Sequence, residues 1–248
     1  MIESVKRASQ ILNCFTNEDY ILGNAEIAEK IGLSPSTTHH LVSTLWKEGL
    51  LIRVDRRKYR LGWKLLELNN YVMYQQDIYD RAIPIVRGLT QKYKGTVHIG
   101  MFDKGEVIFV LKVSSQESFA LDTHVGTRKP AYCTSSGKVL LAYNSQYLKE
   151  TINRGLQRHT PNTIINDHKL KQELAMVRKN GYSISNDEND TRTYAIAAPI
   201  FSYSGKTIAS VNVVGPISYM QGNNKKLMIK SIVNTAKSIS RELGYIEI

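Results

Sequence analysis

Cysteine is scarce in this 248-residue chain, where Cys14 and Cys133 stand far apart and form no CxxC pair. That excludes a disulfide-stapled fold and a cysteine-rich zinc site, and leaves two reduced thiols as the expectation. Long apolar runs are missing as well: no stretch approaches the roughly 18 residues that a membrane helix requires, so no membrane partner is expected. At the start of the chain Glu3, Ser9, Gln10 and Asn13 interrupt any apolar core of a signal peptide, which points to a cytoplasmic location. The six histidines lack paired ligand spacing, and the adjacent His39 and His40 diverge by about 100° on a helix, so neither a metal nor another cofactor is expected. Gly137-Lys138 is not a phosphate-binding loop, because Val139 replaces its Ser/Thr and Tyr132 its first glycine. Internal repeats and low-complexity tracts are absent.

Positive charge is in excess, with 33 Lys/Arg against 22 Asp/Glu and a net charge of +11. Such a balance favours an anionic partner without naming it. Its distribution says more. Residues 1–77 carry only +1, yet the stretch 30–64 within them holds eight basic and two acidic residues, while 78–248 are diffusely basic at +10.

Apolar periodicity organises the first third. Val5, Ala8, Ile11, Leu12 and Phe15 mark a first helix. Asn24 then precedes AEIAEKI, a short helix expected to turn Ala25, Ile27, Ala28 and Ile31 inward and to stop at Gly32. Ser34-Pro35 is a strong helix start, since serine caps free N–H groups and proline tolerates the first position. The third helix runs to Gly49, with Thr38, Leu41 and Leu45 inward. Leu50–Val54 and Tyr59–Leu61 then read as a hairpin about the turn DRRK. Helix, helix-turn-helix and basic hairpin in this order point to a winged DNA-binding module over 1–62, with a protein-binding unit of the same build as the alternative. Ser34, Ser36, Thr37, His39 and His40 lie at or near the start of the second helix of the pair, where a major groove is read. Arg56, Arg57 and Lys58 at the wing suit phosphate or minor-groove contact, or simply a solvated turn.

An apolar-patterned helix over 63–79 reads as a linker, and 80–248 as a second domain. There TVHIGMF, GEVIFVLKV, SFALDTHV, YSISN, AIAAPIF and TIASVNVVG are expected strands. Helices are expected over 80–93, 135–143, 166–180 and about 223–243. The short YSGK connection makes the sheet at least partly antiparallel, so the class is α+β rather than doubly wound. Thr134, Ser135, Ser136 and Gly137 open a helix whose N–H groups and hydroxyls can hold an anion, or can serve as an ordinary cap. Asn212 alternates with Val211 and Val213 and is expected to face the opposite side of its strand. Asp122, His124 and Ser135 do not make a convincing triad, because strand alternation already explains the first two. Cys133 is either a redox thiol before a helix or a buried inert one.

The order of SVKRASQILNCF, IAEKIGLSPSTTHHLVSTLWKEGLL, YRLGWKLLEL, VGTRKPAYCTSSGKVLLAY and AIAAPIF…GKTIASVNVVGP resembles the IclR family of bacterial transcription regulators along nearly the whole chain. The resemblance implies a winged helix-turn-helix joined to a GAF-like effector-binding domain, in homodimers or dimers of dimers on a double-stranded DNA operator. It also implies that positions used by keto-acid-binding members correspond to Ser185, Ala195, Asn212 and Val214, a set that lacks much of their polar chemistry. A non-enzymatic, small-molecule-responsive regulator is therefore expected. The alternatives are an effector-independent DNA binder and an enzyme on a GAF-like domain.

Overall fold

The computed structural model describes residues 1–74, 78–93, 95–114, 121–221 and 225–246. The chain divides into two compact units, 1–76 and 77–248. In the first, α1 (Glu3–Asn13), the two-residue strand β1 (Leu22–Gly23), α2 (Asn24–Ile31) and α3 (Pro35–Lys47) precede β2 (Leu51–Arg53) and β3 (Lys58–Leu61). The strands form a small antiparallel sheet in the order β1-β3-β2, in which Leu22 pairs with Tyr59 and Leu51 with Leu61. Ile11, Phe15, Leu22, Ile27, Val42, Leu45, Leu51 and Tyr59 form its core.

Three inward positions differ from the periodicity. Ala25 is exposed in the first turn of α2, which begins at Asn24 with Gly23 as its cap. Val42 is fully buried while Leu41 is half-buried, and Val5 is 65% exposed. Gly32 closes α2 at φ 66°, a left-handed conformation that β-carbon sterics disfavour, and so permits the sharp turn into α3.

A helix, α4 (Trp63–Tyr74), follows in the first unit, and α5 (Ile78–Tyr93) opens the second. Pro84 is the seventh residue of α5, past the first turn, so it cannot supply the i→i−4 hydrogen bond to the Asp80 carbonyl. Then come β4 (Thr96–Asp103), β5 (Glu106–Ser114), β6 (Arg128–Pro130), α6 (Ser135–Tyr143), α7 (Ser145–Asn153) and α8 (Asp167–Asn180). The chain continues through β7 (Ser183–Asn186), β8 (Thr193–Phe201), β9 (Thr207–Pro216), α9 (Ile217–Met220) and α10 (Lys225–Glu242). Among the described residues the strands make one six-stranded sheet in the order β6-β5-β4-β9-β8-β7, antiparallel at every pairing.

Each strand turns alternate residues to opposite faces. Val97, Ile99, Val211, Val213, Ile196, Ala198 and Ile200 face α5 and α10, whose Val86, Leu89, Ile232, Ala236 and Ile239 complete one core. The other face meets α6 and α8 through Val107, Phe109 and Ala197 against Leu140, Leu141, Leu170 and Leu174. A bulge in β5 shifts the register between Ile99, opposite Leu111, and Gly100, opposite Phe109. The extra residue turns Phe109 and Lys112 toward the same face, which unbroken alternation would forbid.

The expected strand SFALDTHV is corrected. Residues 118–120 lie outside the described residues, and 121–125 are not strand. Instead, Lys112 Nζ donates to the carbonyls of Leu121 (3.3 Å) and Thr123, and the N–H of Thr127 closes a turn on His124 O at 3.0 Å. The segment crosses the α6-side face, and the short β6 takes the place beside β5. No helix of the described residues is long and apolar enough to cross a membrane.

Candidate functional site

Two sets of polar side chains are placed by these elements, one in each unit. In the first, Ser34 Oγ accepts the Thr37 N–H at 3.2 Å and also contacts Ser36 Oγ (3.1 Å) and Thr37 Oγ1 (2.8 Å). Ser34 is therefore occupied as a cap, while Ser36, His39 and His40 are exposed and Thr37 is half-buried. Asn24 Nδ2 donates to Pro35 O at 2.9 Å, fixing the start of α3 against that of α2. Lys47 continues the face that carries Ser36 and His40, a position which charge counting alone did not single out.

At the wing, Asp55 Oδ1 accepts the N–H groups of Arg57 (2.9 Å) and Lys58 (3.1 Å), a side-chain-closed turn. Arg53 braces it by donating to the carbonyls of Asp55 (3.0 Å) and Arg56. Lys58 belongs to β3 rather than to the turn. The local charge excess then sorts itself. Lys30 pairs with Asp19 at 2.8 Å, Lys64 with Glu67 at 2.7 Å, and Arg60 lies over the Trp63 ring. Lys47, Arg56, Arg57 and Lys58 are exposed and carry no ion pair among the described residues.

In the second unit, a cleft of about 460 Å³, counted to its open mouth, lies on the α6-side face of the sheet. Thr134, Ser135, Ser185, Ala195, Asn212 and Val214 line it, as do His98, Phe109, Leu121, Thr123 and Lys129 and the loop residues Asn189, Asp190 and Thr193. Strand register brings the sheet residues together, since His98 pairs with Asn212, Ala195 with Val214, and Ser185 with Ala195. Ser136 and Gly137 do not line the cleft. Ser136 is wholly buried, and a Cβ on Gly137 would fall 2.1 Å from Ala131 O, so that glycine serves the close packing of α6 on the preceding turn.

Sequence reasoning passed over His98, which sits in an apolar run as the one ionisable side chain of TVHIGMF. Asn212 Oδ1 accepts the backbone N–H of His98 at 3.1 Å, which fixes the rotation of the amide. The His98 Nδ1, also 3.1 Å from that oxygen, must then carry the proton, and Nε2 accepts from Thr123 Oγ1 at 2.9 Å. Burial brings the imidazole down to about 4, against the Asn212 hydrogen bond and helped by nearby Lys112. A neutral ring results, stacked on Phe109 with centroids 4.3 Å apart. The Asn212 amide nitrogen has no partner among the described residues, and neither does the buried Ser135 Oγ.

Behind the cleft, Lys138 is 1% exposed and bonds Glu188 at 2.7 Å and Glu173 at 3.0 Å. The lysine that imitates a phosphate-binding loop in sequence is thus a buried strut. Cys133 is inaccessible, and burial pushes its thiol up to about 12, so it stays protonated and is a poor nucleophile. Asp122 and His124 are exposed on the turn segment, whereas Ser135 is buried. Among the described residues no group of His, Cys, Asp and Glu could hold a metal.

Comparison with known proteins meets this geometry from outside. Residues 4–55 match the IclR helix-turn-helix domain, and residues 70–241 the bacterial transcriptional regulator IclR C-terminal domain. The chain is 29% identical to the HTH-type transcriptional regulator XynR of Escherichia coli (strain K12), over 99% of this chain and 98% of that one. IclR of Thermotoga maritima superposes with a TM-score of 0.80 at 30% identity, over 99% of this chain and 100% of the other. An IclR homologue of Microbacterium hydrocarbonoxydans, crystallised with 4-hydroxybenzoate, superposes with a TM-score of 0.85 at 25% identity, over 97% and 98%.

Proposed function

This chain belongs to the IclR family of bacterial transcription regulators, DNA-binding and non-enzymatic proteins, and from that premise we propose a ligand-responsive regulator whose effector is a small polar or anionic metabolite. One observation carries this reading: the cleft beside the start of α6 offers unpaired donors over an apolar floor. Asn212 Nδ2 and Ser135 Oγ supply these donors, Lys129 Nζ stands beside them paired with Asp190, and Phe109, Leu121, Ala195 and Val214 supply the floor. The N-terminal dipole of α6 adds to the preference for an acceptor-rich or negative group. The small acid held by the Microbacterium relative supports the same class.

In the DNA-binding unit, Ser36, Thr37 and His40 are the base-reading candidates, with His39 at the groove edge. Arg56, Arg57 and Lys58 are the phosphate or minor-groove candidates, and Ser34 holds the start of α3. A dimer is part of the proposal. Ile2 and Val5 on one side, and Trp63, Leu66, Tyr71 and Val72 of α4, are all at least 60% exposed, a concentration of apolar side chains that a second copy would cover. Two copies also address the two half-sites of a palindromic operator.

For regulation, the ligand must favour one of two arrangements of the chain; a coupling of about 1–3 kcal/mol shifts operator affinity roughly 5- to 150-fold. The test is a metabolite screen by thermal shift on the full chain, followed by operator titration with and without each hit. A genuine effector is expected to lose its stabilising effect in Asn212→Ala and Ser135→Val, and to keep it in the exposed control Lys179→Ala. An effector that stabilises all of these equally would remove the cleft from the proposal; a chain that no metabolite affects would be an effector-independent DNA binder.

A further inference from the structure

Lys129 stands on the edge strand β6 opposite Val107, and its Nζ is 3.1 Å from Asp190 Oδ1. Asp190 belongs to the connection between β7 and β8, which is tied at its neck: the Asp187 N–H donates to Thr193 O at 2.9 Å and the Thr193 N–H to Asp187 Oδ1 at 3.0 Å. Asp187 and Arg192 bracket the loop with left-handed φ values of 53° and 62°, conformations that non-glycine residues keep only when their surroundings enforce them. The enforcement comes from below. Glu188 is bonded to the buried Lys138 at 2.7 Å, and Thr163 Oγ1 donates to Glu188 O at 2.7 Å. The base of the loop is fixed, while Asp190 at its tip is half-exposed and held otherwise by Asn189 Nδ2 at 2.7 Å.

Among the described residues, Lys129 and Asp190 are the charged side chains that line the cleft. They cancel, so the described lining contributes no net charge although its unpaired groups are donors. A carboxylate seated near Ser135 and Asn212 would find Lys129 already engaged and a second carboxylate at the rim. Resting on the reading of the cleft as a ligand site, we infer that Asp190 is a built-in stand-in for the carboxylate of the ligand. An entering monocarboxylate with a flat apolar body takes Lys129 from Asp190, whose side chain turns to water while Glu188 and Lys138 keep the base of the loop in place. A neutral ligand of the same shape leaves the pair closed. Exposed ion pairs are weakly held, which makes the exchange accessible to a small ligand. The sheltered lysine gains more from a partner that also meets fixed donors.

The experiment uses the full chain and two matched probe pairs, benzoate with benzamide and acetate with acetamide, titrated calorimetrically at constant ionic strength. Asp190→Asn is expected to tighten the acids about fivefold, the upper end for release of an exposed ion pair, and to leave the amides unchanged. Lys129→Met is expected to erase the preference for acid over amide. The inference is overturned if Asp190→Asn keeps the wild-type ratio of acid to amide affinity, if Lys129→Met retains the preference, or if no acid binds to any of the three proteins. In each case the cleft itself is judged separately, by whether Asn212→Ala and Ser135→Val abolish stabilisation by a hit from the metabolite screen.

Discussion

Substituting His98 with glutamine should remove a specific part of the acid sensitivity of the second unit. The imidazole is buried, neutral and brought down to about 4 from 6.5, whereas in the unfolded chain it regains its ordinary affinity for protons. Between those two values the unfolded state binds more protons, so stability falls as pH drops through 6.5 and levels off below about 4. The full interval is worth about 3 kcal/mol, and about 2 kcal/mol of it is lost by about pH 5 relative to about pH 8. Glutamine keeps a donor for Asn212 Oδ1 and an acceptor for Thr123 but does not titrate, and it loses the stack on Phe109. It is therefore expected to be less stable than wild type near pH 8 and to approach or overtake it near pH 5. Urea unfolding followed by circular dichroism measures this. Tryptophan fluorescence does not, because Trp46 and Trp63 both lie in the other unit. Other titrating groups are common to both proteins and cancel in the comparison. Parallel pH profiles for the two proteins would refute the assignment of a neutral, buried His98.

Three further outcomes are expected. Arg57→Ala should weaken binding to specific and random DNA alike and lower the salt slope by up to about 0.9, the value of one phosphate contact, whereas Thr37→Ala or His40→Ala should cost about 1–3 kcal/mol of base discrimination; competition titrations on both DNAs separate the two. Sedimentation should find a dimer at micromolar concentration and a weakened one in Leu66→Glu or Val72→Glu, and a wild-type monomer bound singly to its operator would defeat the proposal. Lys138→Met strands the buried Glu188 carboxylate, which burial already pushes up and Lys138 pulls down. A loss of about 3 kcal/mol is expected in urea unfolding, largely restored by adding Glu188→Gln, and a loss below about 1 kcal/mol would show that the strut carries no strain.

Local chemistry made the first unit legible. Ser34-Pro35, Gly32 and the apolar repeat of α3 are short-range signals, each acting within a few residues of itself. The cap of α2 was less legible: Asn24 reads as the cap, whereas Gly23 takes that place and Glu26 reaches back to the Gly23 N–H at 2.5 Å. The cleft was legible only along its strands and at the start of α6. Ser185, Ala195, Asn212 and Val214 were reached by resemblance, and Asn212 by alternation as well, whereas His98 and Thr123 enter through a register and a crossing segment that no local pattern encodes. Phe109 is the sharpest case. Strict alternation cannot put Phe109 and Lys112 on one face, and the bulge that does so appears in the sequence merely as one more apolar residue, Val110. Lys138 was weighed as part of a false phosphate loop because its two carboxylates lie 35 and 50 residues away in sequence.

The arrangement of these groups sets how such a cleft discriminates. His98, Thr123 and the Asn212 oxygen already satisfy one another, so a ligand gains little from them beyond the stacked ring face. Among the described residues the buried Ser135 hydroxyl has no partner and the Asn212 amide nitrogen makes no hydrogen bond, both held on elements fixed by the sheet and by the packing of α6. A ligand with acceptors at both places replaces water at little entropic cost, because neither donor has to be ordered first. An analogue lacking one acceptor excludes the water and leaves a buried donor unpaired, a penalty of about 1–3 kcal/mol. An added or missing methylene over Ala195 and Val214 is worth about the same or less. If the cleft holds the effector as proposed, its selectivity follows the placement of acceptors at least as much as the size of the apolar body, and ligands of differing bulk but common acceptor geometry should compete for it.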